Sequence, residues 1–304
     1  MLLTLLAVAG CGGAEEPASR SPQRPVTVAL DFVPNPVHAP IYLAGDAVRI
    51  QTPGSGPDGL KLVTSGKVEL GVLDIHDLAI ARAAGTDVVA VGALVGKPLA
   101  ALVAQPDVAR PRDLEGRTVG VSGLPSDPAF LKAIVEHDGG DVSKIKQVTI
   151  GFNAVSRLLT KRVDAVPVFW NAEGVAVQQR GLEANEFRVE DYGAPPYPEV
   201  VLFTSRETLE SERVRIEAAL DAIARGLETA RARPEAAVDV IAEAAETDDR
   251  KLVRAQLDAV LPIFADDLKL DRPVLEQWAD FDAEIGLVAD RPDVARAFDF
   301  TLRR

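Results

Sequence analysis

The sequence predicts an α/β protein of two lobes with a ligand cleft between them. Segments of strand length alternate with helical segments over most of the chain, which is typical of a mostly parallel sheet covered on both faces. Turn-rich breaks at 106–116 and 193–198 indicate that the chain crosses twice between lobes. Because ligands sit beyond the carboxyl ends of the strands in such sheets, we expect the cleft to bind a ligand.

The predicted strands are short apolar runs bounded by turn residues. In chain order they are Val26–Phe32, Val68–Val72, Val88–Leu94, Leu99–Ala104, Thr118–Val121, Val148–Ile150, Ala165–Trp170 and Val200–Thr204. Helices are expected between them, at Leu60–Ser65, Asp77–Ala84, Ser126–His137 and Ala154–Lys161, with Ala39–Ala44 starting a helix or a short strand. From Glu212 to about Gly286 nearly all of the chain has a helical pattern, which proline breaks at Arg233-Pro234 and near Pro262.

These elements divide the chain into four expected parts. The first lobe is discontinuous and comprises 26–105 plus 199–304, and the second lobe comprises 106–198. Residues 12–25 have no apolar periodicity and predict a flexible tether. Residues 1–11 are an apolar run that ends in Val8-Ala-Gly-Cys11, too short to span a bilayer and typical of an export signal.

Cys11 is the only cysteine of the 304 residues, and small residues precede it. This arrangement resembles the lipobox of bacterial lipoproteins, in which the thiol is acylated. It implies an exported protein anchored to the membrane by lipid at Cys11, facing the periplasm or the cell exterior. Composition excludes other classes: one cysteine cannot form an internal disulfide or a cysteine-based metal site, and a net charge of −13 argues against nucleic acid as a partner.

Four segments carry a family resemblance. The most specific are Leu30-Asp-Phe-Val-Pro-Asn-Pro-Val-His-Ala-Pro-Ile-Tyr-Leu-Ala44 and Phe169-Trp-Asn-Ala-Glu-Gly174, and the more general ones are Leu60–Val72 and Asp113–Gly123. They resemble the solute-binding proteins of ABC importers that capture the pyrimidine precursor of thiamine. The resemblance implies a two-lobe periplasmic-binding-protein type II fold, a monomer without a cofactor, and a membrane permease as partner. The chain is shorter than the family pattern after Ala44.

An aminopyrimidine offers ring nitrogens and an exocyclic amine on a flat apolar face, so its site needs carboxylates or amides and an aromatic ring. We expect Asp31 and Glu173 to meet across the cleft and to accept a hydrogen bond from the amine, with Asn171 assisting. Phe32 and Trp170 are the candidates for stacking on the ring. Because side chains alternate along a strand, either residue could equally point into the core.

Loops supply the remaining candidates. Proline-bracketed Asn35 and His38 favour a binding role, with a hydrogen bond inside the loop as the alternative for His38. The others are Asp74 and His76 after a buried strand, Ser122 and Ser126 near a helix N-terminus, and Tyr197 at the return crossing. The spacing from Asp74 to Asp77 matches no metal motif, and we expect Asp77 to cap the helix instead.

Alternative functions remain open. The same fold binds a flavin precursor or an aliphatic sulfonate in neighbouring families, but a sulfonate needs cationic groups, and the candidate loops contain no obvious Arg or Lys. Relatives that make the pyrimidine from their own histidine and pyridoxal phosphate need a cysteine cluster, which this sequence does not contain. A regulatory effector domain of similar fold needs a DNA-binding motif at its N-terminus. No nucleophile with a base at recognisable spacing occurs, so we expect binding without catalysis.

Overall fold

The computed structural model describes residues 24–54 and 58–303. The predicted signal segment, Cys11 and nearly all of the tether lie outside these residues. The described part has two five-stranded sheets. None of the described helices is long and apolar enough to cross a membrane.

The first sheet and the helices around it form lobe I. Its strands follow the order β2-β1-β3-β10-β4 and comprise β1 Val26–Ala29, β2 Val48–Gln51, β3 Leu70–Asp74, β4 Val88–Val95 and β10 Val200–Ser205. β1 pairs in parallel with β2 and β3, whereas β10 is antiparallel to both of its neighbours. β3 and β4 are buried along their whole length, as expected for central strands covered on both faces.

The second sheet organises lobe II in the same way. Its order is β7-β6-β8-β5-β9, with β5 Ala100–Ala104, β6 Thr118–Val121, β7 Lys146–Thr149, β8 Ala165–Phe169 and β9 Asn185–Arg188. β6 pairs in parallel with β7 and β8, and β5 is antiparallel to β8 and β9. In each sheet, therefore, the antiparallel strand is the one that the chain enters directly after crossing from the other lobe.

Helices cover both sheets. They are α1 Ala39–Tyr42, α2 Gly59–Thr64, α3 Ile75–Ala83, α4 Asp127–His137, α5 Ala154–Leu159, α6 Val175–Gln179, α7 Arg206–Ala232, α8 Pro234–Ala244, α9 Arg250–Val260, α10 Arg272–Glu284 and α11 Val294–Ala297. The predicted helical region after Glu212 becomes α7 to α10, and proline begins α8 as predicted.

The structure corrects the first predicted crossing. β5 belongs to the second sheet, so the chain leaves lobe I before Ala100 and not at the turn-rich segment 106–116. The reason is that β5 is buried on both faces, and an apolar run of this kind does not show which sheet it joins. Two short strands, β2 and β9, were not predicted; both are edge strands with partly exposed side chains.

The long helix α7 packs against α1, directly after the loop 35–38. Gly226 lies so close to α1 that a Cβ atom at this position would be 2.0 Å from the carbonyl oxygen of Pro40. Only glycine permits this approach of two backbones. The packing fixes the segment 35–38, which enters the cleft from lobe I.

Candidate functional site

A cavity of about 500 Å³ lies between the two lobes. It is lined by residues that follow the carboxyl ends of β1, β3, β6 and β8, together with residues of α2, α3 and α4. This is where ligands bind in open α/β sheets, and the volume suits a small heteroaromatic molecule. A second, more open groove of about 480 Å³ lies on the surface of lobe II, around 153–162.

Eight of the twelve predicted ligand-binding residues line the cavity. They are Asp31, Phe32, Asn35, His38, Asp74, Ser122, Ser126 and Glu173. Lobe I supplies the first five and lobe II the last three. Asp31 and Glu173 thus line the same cavity, one residue from each lobe.

Asp31 and His38 form a hydrogen-bonded pair at the wall of lobe I. His38 Nε2 is 2.8 Å from Asp31 Oδ1, and the Nδ1 of His38 accepts the backbone N–H of Asn35 at 3.3 Å. The Asn35 side chain in turn accepts the N–H of Val37, which caps the short turn Pro36–His38. His38 thus has the intraloop hydrogen bonds of the alternative interpretation, and it holds the Asp31 carboxylate in place.

The polar lining of the cavity is acidic. Five carboxyl groups line it, from Asp31, Asp74, Asp77, Asp127 and Glu173, and no Lys or Arg is among the described residues that do so. Such a surface attracts hydrogen-bond donors and cations and repels anions. It therefore fits a ligand with an amine better than a sulfonate or a phosphate.

Burial keeps part of this acidity protonated near neutral pH. Burial raises the pKa of Glu173 to about 7, backbone hydrogen bonds oppose the rise, and the charges of Asp31 and Asp127 add to it. Burial likewise raises the pKa of Asp77 to about 7, against hydrogen bonds from Ser126. A carboxyl group with a pKa near 7 can accept a hydrogen bond through one oxygen and donate one through the other.

Aromatic and aliphatic side chains form the rest of the lining. Phe32, Phe130 and Phe169 offer aromatic faces or edges, and Leu60 and Ile80 add aliphatic surface. A flat ring bound among such residues gains hydrophobic and ring–ring contacts. The cavity thus combines an apolar body with a few polar groups, the usual composition of a small-molecule site.

Direct contacts join the lobes around the cavity. The rings of Phe32 and Phe152 lie 4.2 Å apart between centroids, and the backbone N–H of Ser126 donates to Asp77 Oδ1 at 3.1 Å. On another side, Gln256 of α9 donates to the carbonyl oxygen of Ala172 at 2.9 Å. The structure is therefore a closed arrangement, in which lobe I touches lobe II on more than one side.

The other four predicted residues do not line the cavity. Trp170 donates from Nε1 to the carbonyl of Pro98 and has the Arg188 guanidinium 3.9 Å from its ring centre. Asn171, His76 and Tyr197 are fully buried. Tyr197 packs edge-on against His76, with 4.7 Å between ring centroids.

The lining residues that were not predicted as ligand contacts include Asp127, Phe130 and Phe169. Asp127 directly follows Ser126 and accepts hydrogen bonds from the Ser122 hydroxyl at 2.8 Å and from the Gly123 N–H at 3.0 Å. Phe130 lies one turn further along α4, and Phe169 is the neighbour of Trp170. Alternation sends the side chains of adjacent strand residues in opposite directions, but it does not say which of Phe169 and Trp170 faces the cleft.

The predicted cap of α3 also needs correction. Asp74, not Asp77, is the capping residue, and its Oδ1 accepts the N–H of His76 at 2.7 Å. Asp77 lies within the first turn of α3 and accepts instead from Ser126 of lobe II. The cap lies three residues before the predicted position, since β3 leads into the helix without a loop.

Two open sheets of this topology, joined at a double crossing around a lined cavity, define a periplasmic-binding-protein fold. A structure of the alkanesulfonate-binding protein of Xanthomonas axonopodis pv. citri, bound to MOPS, is similar in fold: its TM-score is 0.73 at 17% identity, with 92% of this chain and 99% of the other covered. The predicted fold class is confirmed.

The chain belongs to the NMT1/THI5-like family, which matches residues 35–237. A formylaminopyrimidine-binding protein of Halalkalibacterium halodurans is 31% identical over 238 residues, which cover 74% of this chain and 72% of the relative. A 4-amino-5-hydroxymethyl-2-methylpyrimidine phosphate synthase of Legionella pneumophila is 27% identical over 168 residues, covering 50% of this chain and 52% of that enzyme. The predicted family is confirmed.

Proposed function

We propose that this protein is the solute-binding component of an ABC importer and that its ligand is an aminopyrimidine of the thiamine-precursor class. The observation that carries the proposal is the cavity between the lobes, with five carboxyl groups, no lining Lys or Arg among the described residues, and aromatic surface. The name of the Halalkalibacterium relative supports the same ligand class.

The two sides of the cavity have different roles in this proposal. Asp31, held by His38, accepts a hydrogen bond from an amine of the ligand. Glu173 faces the amine–ring nitrogen edge, where a neutral carboxyl group accepts from the exocyclic amine and donates to the ring nitrogen. Phe32 or Phe169 covers the face of the ring. A sulfonate offers none of these donors and carries the wrong charge.

Binding is coupled to closure of the lobes. Ligand contacts come from both lobes at once, so the ligand stabilises the closed form over an open one. The contact between Asp77 and Ser126 and the contact between Phe32 and Phe152 form only when the lobes are together. The closed form is the one that would deliver the ligand to a membrane permease.

Localisation and the absence of catalysis belong to the same proposal. The apolar run before Cys11 supports export and a lipid anchor at this cysteine. Such an anchor would keep the protein near its permease in the membrane. The synthase relatives make an enzyme the second candidate. His38 argues against that candidate, because the Asp31 carboxylate and the Asn35 N–H occupy both of its ring nitrogens.

Ligand identification tests the proposal. Denaturing mass spectrometry of the purified protein identifies any molecule that co-purifies, and calorimetric titration of stripped protein compares 4-amino-5-hydroxymethyl-2-methylpyrimidine, thiamine, riboflavin and MOPS. We expect the aminopyrimidine to bind with one-to-one stoichiometry and MOPS not to bind. Tight binding of riboflavin or MOPS alone would overturn the ligand class, and absorbance changes on mixing with pyridoxal phosphate would favour the enzyme.

A further inference from the structure

A buried cluster of four ionisable side chains lies beside the chain crossings, next to the ligand cavity. It comprises Asp74 at the end of β3, His76 in the first turn of α3, Glu199 immediately before β10, and Asp282 on α10. All four are at least 95% buried. Three carboxyl groups and one imidazole share this volume, and only Asp74 also lines the cavity.

The fold sets the positions of the first three residues. β3 and β10 are antiparallel neighbours in which Val200 faces Asp74, so Glu199 comes next to the end of β3. Glu199 Oε2 accepts the backbone N–H groups of Leu99 and Ala100, where the chain enters lobe II. The cluster therefore ties the two crossings to lobe I.

His76 has one nitrogen paired and one not. Its Nδ1 lies 2.6 Å from Asp282 Oδ1, whereas its Nε2 has no hydrogen-bond partner among the described residues. Glu199 Oε1 lies 3.9 Å from this Nε2 and is also unpartnered within the described part. If Nδ1–H donates its hydrogen bond to Asp282, the Nε2 lone pair faces an oxygen of Glu199, and two acceptors repel each other unless a proton or a metal ion lies between them.

We propose that Asp74, His76 and Glu199 bind a divalent metal ion, and that zinc fits the set best. One atom from each residue lies within 4.8 Å of the others. Tetrahedral zinc, with ligands at about 2.0–2.2 Å, places any two of them about 3.4 Å apart, so the three atoms need only a small inward movement. Imidazole with two carboxylates suits zinc rather than magnesium.

The partner of the other imidazole nitrogen also agrees with a metal site. A metal-bound histidine commonly gives its other N–H to a carboxylate, and Asp282 takes this place beside His76.

Metal titration of the full chain tests the site directly. Protein dialysed against a chelator is titrated calorimetrically with zinc chloride, and separately with magnesium chloride. We expect one equivalent of zinc to bind, with a rise in Tm, and magnesium to bind far more weakly. If no zinc binds to the folded parent, the proposal is wrong, and protons balance the buried charges instead.

Two variants locate the ion, and a third is the control. His76→Gln and Glu199→Gln each remove one ligand and should weaken zinc binding by about 100-fold or more. His137→Gln removes an exposed histidine on α4 and should bind zinc as the parent does. Zinc binding that survives in both ligand variants would place the ion elsewhere and overturn the proposal.

A measurement on the parent protein covers the case in which a variant does not fold, which far-UV circular dichroism reveals. Anomalous diffraction from a zinc-soaked crystal should give a peak between Asp74, His76 and Glu199. A peak elsewhere contradicts the proposal. The metal site and the aminopyrimidine site are separate proposals. Aminopyrimidine titrations with and without zinc therefore test the ligand independently of the metal.

Discussion

The two buried histidines of the lobe I side differ in how their ring nitrogens are paired. His38 is 1% exposed, and both of its nitrogens have partners, Asp31 and the backbone of Asn35. His76 is fully buried, and within the described part of the chain only its Nδ1 has a partner, Asp282. One histidine thus completes its hydrogen bonds within eight residues of chain, whereas the other depends on a helix more than 200 residues away.

The difference separates a histidine whose role is structural from one that has a ring nitrogen free to bind a further partner. His38 orients the carboxylate of Asp31 and has nothing left to offer a ligand through its nitrogens. His76 keeps its Nε2, which lies 3.9 Å from Glu199 Oε1, and neither atom has a hydrogen-bond partner among residues 24–54 and 58–303. Buried polar atoms are seldom left unpaired, so the second arrangement points to a missing partner.

The largest expected effect is the loss of stability when the carboxylate partner of each histidine, Asp282 or Asp31, is removed. In metal-free protein, Asp282→Ala leaves a fully buried His76 without its partner and should lower the free energy of unfolding by about 3–5 kcal/mol. Asp31→Ala should cost about 1 kcal/mol, because the Asp31 side chain is 17% exposed and water can replace it. Urea denaturation of both variants gives the two values. Equal losses would erase the distinction between the two histidines.

A smaller loss is expected where helix packing supports the His38 loop. A Cβ atom at Gly226 would lie 2.0 Å from the carbonyl oxygen of Pro40, so Gly226→Ala should force α7 away from α1. We expect a loss of about 1–3 kcal/mol, together with shifted NMR signals of His38 and unshifted signals of His76. Gly54→Ala is the control, since no atom of the described residues lies within 4 Å of its added Cβ. Equal stability of both variants would contradict this packing argument.

The smallest effect is the pH dependence of ligand affinity, which we attribute to the proton of the Glu173 carboxyl group. Because the pKa of Glu173 is about 7, and because its neutral form both accepts from the amine and donates to the ring, affinity should be nearly constant below pH 7. Above pH 7 it should fall by about tenfold per pH unit, as the proton must be taken up on binding. Calorimetry over this range measures the effect, with Glu173→Gln as the control, whose profile should lack the contribution of this carboxyl group. An affinity that rises with pH would show that the carboxylate form binds.

Local patterns predicted most of the fold. Strands such as β6 and helices such as α4 follow short-range apolar periodicity and caps, and these are visible in the sequence. The membership of β5 was not predictable, because a strand buried on both faces carries no sign of its partners. The edge strands β2 and β9 were missed since they are short and partly exposed.

The candidate site likewise has residues that the sequence could identify and residues that depend on tertiary contacts. Asp31, Ser122 and Glu173 were predicted from strand ends, a helix N-terminus, the family motifs and the chemistry of the ligand, and all three line the cavity. The sequence did not reveal that Trp170 faces away while Phe169 lines the cavity, because strand alternation has no absolute phase without a known partner. Nor did it reveal the cluster around His76, because Glu199 and Asp282 come from distant segments.

The most direct test of the cavity assignment is a calorimetric titration of 4-amino-5-hydroxymethyl-2-methylpyrimidine into the parent and into Glu173→Ala. The account predicts one-to-one binding by the parent and binding at least about tenfold weaker in the variant, since a truncated carboxyl group makes neither hydrogen bond. Equal affinities in two folded proteins would contradict the assignment of this cavity as the ligand site.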